Sequence, residues 1–245
     1  MNKKRYDREG EYFPKVGDIL PVRENLIVVH QRIQEALEKG GRCGEQVKLV
    51  AVSKRAGIDL IEEAYRFGQR DFGENHVQEW LKKKDQLPEA CSWHFVGRLQ
   101  TNKIKFLDKR IALIHSLDRL ALLEALNAEG EKRNHIWNTL LQVNVAEDRA
   151  KAGLGIADVP EFFQKAESCR FVRITGLMTI GRGGATPQET RETFAALRVL
   201  RDRLLLAGVP GTEELADLSM GMSRDLEIAV EEGATIVRVG SDIFG

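Results

Sequence analysis

Eight short apolar runs, each followed by a stretch with helical periodicity, fill the chain from residue 47 onward and leave few folds open. The runs fall at 47–53, 71–75, 92–97, 112–117, 139–145, 172–180, 215–220 and 236–239. They are rich in Val, Ile, Leu and Phe and too short for independent helices, so they read as parallel strands buried on both faces. Helical stretches separate them at 58–67, 77–84, 102–107, 120–132 and 159–166. Thr186-Pro187-Gln188-Glu189 is a capping box with proline at the first helical position. It opens a long helix that turns Phe194, Leu197, Leu200 and Leu204 inward and closes at Gly208. A last helix is expected from about Arg224, capped by Ser223, to Glu232 before Gly233. Eight strands alternating with helices over roughly 200 residues predict an α/β fold of the (β/α)8 TIM-barrel type. The competing arrangement is an open doubly wound sheet, which usually carries a glycine fingerprint after its first strand. Here that strand ends in Ser53-Lys54-Arg55 instead.

Ahead of the first strand, Leu26, Val29, Ile33 and Leu37 recur at helical steps between Pro21 and Gly40-Gly41, predicting an extra N-terminal helix. Residues 1–18 read as a polar arm, and 19–245 as one barrel domain. Charge narrows the partners. Lys+Arg and Asp+Glu are 37 each, so no net field favours nucleic acid or an anionic membrane surface. No apolar stretch approaches the ~20 residues of a membrane span, and the first residues lack the apolar segment of a signal peptide. Cys43, Cys91 and Cys169 are odd in number and lack metal-ligand spacing. They are expected to be free thiols in a reducing cytoplasm.

Barrel chemistry collects where strands end. The strands are expected to end at Lys54, Glu74-Asn75, Gly97-Arg98 (after running through His94), Ser116 and Asp118, Asn144, Met178-Thr179, Ser219, and Gly240-Ser241 on a strand that carries Arg238. Lys54 follows Leu49-Val50-Ala51-Val52. Apolar walls around the amine would lower its pKa towards ~7–8 and make it a nucleophile for an aldehyde. The plainer reading is a strand-end lysine reaching out to solvent. Ser223 and Gly240-Ser241 lie in the loops after strands 7 and 8, where barrels recurrently bind phosphate. Arg238 is expected on the same strand face as Gly240. An inward guanidinium needs an acceptor: a ligand atom, or a barrel carboxylate such as Glu74.

Linked motifs then carry a resemblance. They are Val52-Ser53-Lys54, Phe72-Gly73-Glu74-Asn75 with Gln78-Glu79, and Trp93-His94-Phe95-Val96-Gly97 before Leu99-Gln100-Thr101-Asn102-Lys103. Gly176-Leu177-Met178-Thr179-Ile180, Leu218-Ser219-Met220-Gly221-Met222-Ser223 and Val237-Arg238-Val239-Gly240-Ser241-Asp242-Ile243-Phe244-Gly245 complete the set. Together they resemble the pyridoxal 5′-phosphate (PLP) homeostasis protein family. The resemblance implies a barrel similar to the N-terminal domain of alanine racemase. It implies PLP held as a Schiff base on Lys54, with Arg238 facing the pyridine nitrogen and Asn75 near the ring. Ser223, Gly240, Ser241 and the backbone of Met222 would take the phosphate. Two departures stand out. His76 occupies a position where the family often has tyrosine, and the family often runs a few residues past the position of Gly245.

The family is expected to buffer, carry or deliver PLP without catalytic turnover, with PLP-requiring apo-enzymes as recipients and a monomer or weak dimer as the assembly. A two-base racemase needs a second acid or base on the opposite cofactor face. The tyrosines are Tyr6, Tyr12 and Tyr65, none on an expected strand end. A weak amino-acid racemase is the alternative. A cofactor-free aldolase using the same lysine is a third reading. Lys103 and Lys151 lie near the expected rim, either as further acceptor sites or as solvated surface lysines.

Overall fold

The computed structural model describes residues 21–146 and 152–245. The polar arm and Lys151 lie outside the described residues. Eight parallel strands close into a barrel in sequence order: β1 (Lys48–Val52), β2 (Asp71–Glu74), β3 (Ser92–Phe95), β4 (Ile111–Leu117), β5 (Trp137–Gln142), β6 (Val172–Met178), β7 (Asp217–Ser219) and β8 (Ile236–Val239). The ring closes through β1 and β8, with Val50 level with Arg238 and Ala51 with Val239.

Helices wrap the outside: α1 (Pro21–Lys39), α2 (Ile58–Arg66), α3 (Val77–Lys83), α4 (Leu120–Arg133), α5 (Val159–Ala166), α6 (Pro187–Leu206), α7 (Leu226–Glu231) and α8 (Ser241–Phe244). The (β/α)8 barrel and its extra N-terminal helix are therefore present. α1 lays Val22, Leu26, Val29, Ile33 and Leu37 against the barrel, packing on α7 and α8. It thereby covers the loops that leave β7 and β8. The capping box forms at α6, where the Glu189 amide donates to Thr186 Oγ1.

The barrel separates two cores. Alternate strand residues such as Leu49, Ala51, Val237 and Val239 join the large core beneath the helices. Val50, Leu113, Leu140, Met178 and Ile236 form a small separate apolar cluster. Polar side chains share that interior: His94, His115, Ser219 and Arg238 are all buried.

Two expectations need correction. The stretch expected as a helix at 102–107 is a 3-10 helix, Thr101–Phe106. Six residues between two strands are too few to propagate an α-helix well. The last helix starts at Leu226 rather than near Arg224, with Asp225 at its N-cap position. Ser223 is thus not a cap; it lies in the turn before the helix, and its hydroxyl is available for other contacts.

Candidate functional site

The end of β1 places Lys54 through a tight turn. The Ala56 amide donates to the Ser53 carbonyl at 2.9 Å, and Arg55 takes a left-handed φ of +67°. A non-glycine residue held there carries backbone strain of the kind that gathers at functional sites. A buried network fixes the turn from below. Glu74 Oε1 accepts from Ser53 Oγ at 2.7 Å and from Lys83 Nζ at 2.6 Å, and Lys83 also donates to the Ser53 carbonyl at 2.8 Å. Glu74 was expected at the end of the second strand as a partner for Arg238; its actual partner, Lys83, was not separable from ordinary surface charges in the sequence, because the pairing spans a strand and a helix. The apolar walls expected around Lys54 are not there: its side chain is exposed. The turn lifts the residue past the strand end onto the rim, free of hydrogen bonds and ion pairs among the described residues.

The loops after β7 and β8 meet beside it. Gly240 faces β1 so closely that an added Cβ would sit 3.0 Å from the Val52 carbonyl oxygen. Only glycine lets the backbone approach there without displacing β1. Ser241 Oγ donates to Ser223 Oγ at 3.0 Å. Gly221 has φ +91°, and an added Cβ would fall 2.4 Å from the Ala229 Cβ, so the loop after β7 also depends on glycine. The Met222 amide donates to Asp225 Oδ1 at 2.5 Å, so in this structure that donor is occupied.

α1 ties these loops together, which the sequence did not disclose. Arg32 pairs with Glu227 of α7 and Asp242 of α8, each at 2.6 Å, and donates to the Ser223 carbonyl at 2.9 Å. Asn25 Nδ2 donates to the Ile243 carbonyl at 3.0 Å. The partners lie 191 to 218 residues apart in sequence, beyond the reach of any local pattern.

Arg238 points inward and is buried. The alternative pairing with Glu74 is not formed. Its guanidinium donates to Ser219 Oγ at 2.5 Å and to the Thr179 carbonyl at 3.0 Å, both neutral acceptors. Burial pulls its pKa down to about 10, partly offset by Asp225. A buried guanidinium without a carboxylate in contact is costly, and a ligand acceptor would relieve it.

Asn75 follows β2, half-buried, with its backbone packed under Gly97, where an added Cβ would come 2.2 Å from the Asn75 carbonyl oxygen. Asn75, exposed His76, Gln100 and Lys103 line a cavity of about 370 Å³ on this side of the rim. Lys103 stands over the Phe106 ring. His94, which the third strand was expected to run through, is buried inside the barrel.

A family model described as "Alanine racemase, N-terminal domain" matches residues 30–245. A curated relative from Aquifex aeolicus, named pyridoxal phosphate homeostasis protein, is 42% identical over 91% of this chain and 96% of its own length. Its namesake from Pseudomonas aeruginosa is 38% identical over 91% of this chain and 95% of its own. The solved structure of PipY from Synechococcus elongatus with PLP bound is 36% identical, with a TM-score of 0.80 over 91% of this chain and all of that one. With this barrel, and relatives matched along nearly their whole length, the chain belongs to the pyridoxal phosphate homeostasis protein family.

Proposed function

We propose that this protein binds PLP, holds it as a Schiff base on Lys54, and serves cytoplasmic PLP homeostasis as a carrier, buffer or regulator. The observation that carries the reading is the meeting of three strand ends. The Ser223–Ser241 hydroxyl pair stands in loops that converge on Gly240, and Gly240 abuts Val52, two residues before the unpartnered Lys54 amine. PLP bound in a relative of 36% identity supports it.

The residues present fit the cofactor. PLP supplies an aldehyde for a primary amine and a phosphate that demands hydrogen-bond donors. Lys54 is the amine. The Ser223 and Ser241 hydroxyls satisfy only each other and a weak 3.4 Å contact to Asp242, so both can turn to an anion. Gly240 lets the backbone come close to it. Arg238 offers its guanidinium to the ring nitrogen, and Asn75 borders the ring. Residues 19–245 act as this one PLP-binding unit, as a monomer or weak dimer, and PLP-requiring apo-enzymes are the recipients.

A guanidinium at the ring nitrogen disfavours its protonation, which weakens the electron sink that racemisation needs. Tyr65 lies on α2, with Arg70 stacked 4.0 Å over its ring, and not at a strand end. Both points favour holding the cofactor over turning it over. The test is borohydride reduction of the PLP-loaded protein followed by peptide mass spectrometry, with chiral analysis of L-amino acids incubated with a parallel sample. A phosphopyridoxyl group on Lys54 and no multiple turnover are expected. A label confined to Lys103 or another lysine contradicts the site, and sustained racemisation contradicts the carrier role.

A further inference from the structure

Five side chains from five strands form one continuous hydrogen-bonded file through the barrel interior. At the base, Asp71, the first residue of β2, has Oδ1 2.9 Å from His94 Nε2. His94 Nδ1 lies 2.9 Å from His115 Nε2 on β4. His115 Nδ1 lies 2.9 Å from Ser219 Oγ on β7. Ser219 Oγ accepts from Arg238 Nη1 of β8 at 2.5 Å. His94, His115 and Ser219 are at most 1% exposed, and Arg238 is 5% exposed. A polar file of this depth beside the apolar cluster of Val50, Leu113, Leu140, Met178 and Ile236 calls for a role.

Its direction is determined by its two ends. Arg238 can only donate, and an ionised Asp71 can only accept. His94 must therefore carry its proton on Nε2 and accept at Nδ1. His115 must carry its proton on Nε2 and accept at Nδ1. Ser219 must then donate its hydroxyl proton to His115, which turns its lone pairs to Arg238. The reverse direction needs a proton on Asp71 and a second acceptor for Ser219, and no such acceptor is recorded among the described residues. Every donor and acceptor in the file is satisfied in the first direction.

The surrounding charges agree with it. Lys48 on β1 and Asp217 on β7 act on the lower end of the file, and Asp225 acts on Arg238 from the loop after β7. Burial works against an ionised Asp71, but the hydrogen bonds from His94 and Ser92 and the charge of Lys48 outweigh it and hold the carboxyl below its usual range. Burial also keeps both imidazoles below the usual histidine range, His115 far below it.

We propose that Asp71 is a positioning residue for Arg238: its charge, at the end of the barrel opposite the ligand rim, sets the direction of donation along His94, His115 and Ser219, and so fixes the guanidinium that faces the ligand. That Arg238 faces a ligand rests on the PLP reading; the file and its direction do not.

The experiment uses the full chain without PLP, labelled with 15N, and records the imidazole nitrogens and the Arg238 Nε–H resonance. In the wild type, His94 and His115 are both expected as neutral Nε2–H tautomers. Finding either as the Nδ1–H tautomer or as an imidazolium at neutral pH overturns the proposal. In Asp71→Asn the amide can accept from or donate to His94 Nε2. Both histidines should then populate a minor Nδ1–H tautomer, in which the Ser219 hydroxyl proton loses His115 as its acceptor, and the Arg238 Nε–H signal should shift. A merely structural Asp71 would leave His115 in one tautomer and Arg238 unmoved, which also overturns the proposal. If Asp71→Asn fails to fold, the wild-type tautomers still decide the direction. In that case Ser219→Ala, read by the Arg238 signal, decides the coupling: a shift supports it and an unmoved signal overturns it. Failure of the PLP reading would leave all of these spectra unchanged.

Discussion

Ser241 Oγ donates to Ser223 Oγ across 3.0 Å, although 18 residues separate them in the chain. The contact joins the loop after β7 to the start of α8, which follows β8 directly. In the proposed site these are the hydroxyls that turn to the phosphate of PLP. A hydrogen bond to a charged group contributes about 1.5–3 kcal/mol. Replacing both serines, as Ser223→Ala with Ser241→Ala, should therefore weaken PLP binding by on the order of a hundredfold. Equilibrium titration of the two proteins with PLP measures this. Unchanged affinity would show that the phosphate is held elsewhere.

Arg32 holds both loops from the outside through Glu227, Asp242 and the Ser223 carbonyl. These ion pairs are partly exposed, so salt and water weaken them. Arg32→Met is expected to cost about 1–2 kcal/mol. The loss should be local. Amide hydrogen exchange should accelerate at 240–245 and 222–228 more than in the strands. Uniform acceleration throughout the barrel would contradict a local clamp.

Arg238→Ala removes the donor to Ser219 and to the Thr179 carbonyl and leaves a buried cavity. A stability loss of about 3 kcal/mol is expected from these two effects together. PLP should remain bound, because Lys54 and the two serines are untouched, but its absorption spectrum should shift. Loss of all binding in a folded variant would make Arg238 an anchor rather than a neighbour of the ring.

The interior histidines make stability depend on pH. Burial holds His94 and His115 below the usual range, with Asp71 partly opposing this at His94 and the charges of Arg238 and Lys48 adding to it at His115. Their folded pKa values are lower than the unfolded ones, so the unfolded chain takes up protons that the barrel refuses. Stability is then lost as pH falls below about 6.5, by up to about 1.4 kcal/mol per pH unit for each histidine. Asp71, held below the usual carboxylate range, adds a further loss at lower pH as its folded-state pKa is reached. Urea unfolding at about pH 7.5 and about pH 5.5 should show the drop, and His115→Gln should reduce it. A flat profile in the wild type would contradict buried neutral imidazoles.

The alternation of apolar runs made all eight strands legible, because a strand buried on both faces needs a continuous apolar stretch. Boundaries were less clear at β7, expected over 215–220 and observed as Asp217–Ser219, since Leu215 is equally apolar but faces the helical core. That Ser223, Gly240 and Ser241 share one end of the barrel could be read from their place after the last strands. The Ser223–Ser241 contact itself could not, and neither could the short helix α8. Lys54 was legible as a residue but not in its setting. The local rule that an apolar strand leads to buried walls fails where a turn with a left-handed Arg55 lifts the chain out. Arg32 and the His94–His115 file stayed hidden because each depends on residues brought together only by barrel closure.

Whether Lys54 holds PLP is read from the visible absorption of purified wild type and Lys54→Ala after PLP is added and free cofactor is removed. Lys54 is exposed and has no hydrogen bond or ion pair among the described residues, so the variant should stay folded by circular dichroism. The wild type should retain the band of a protein-bound Schiff base, and the variant should lose it. A variant that keeps an unchanged band would place the cofactor on another residue and rule out Lys54.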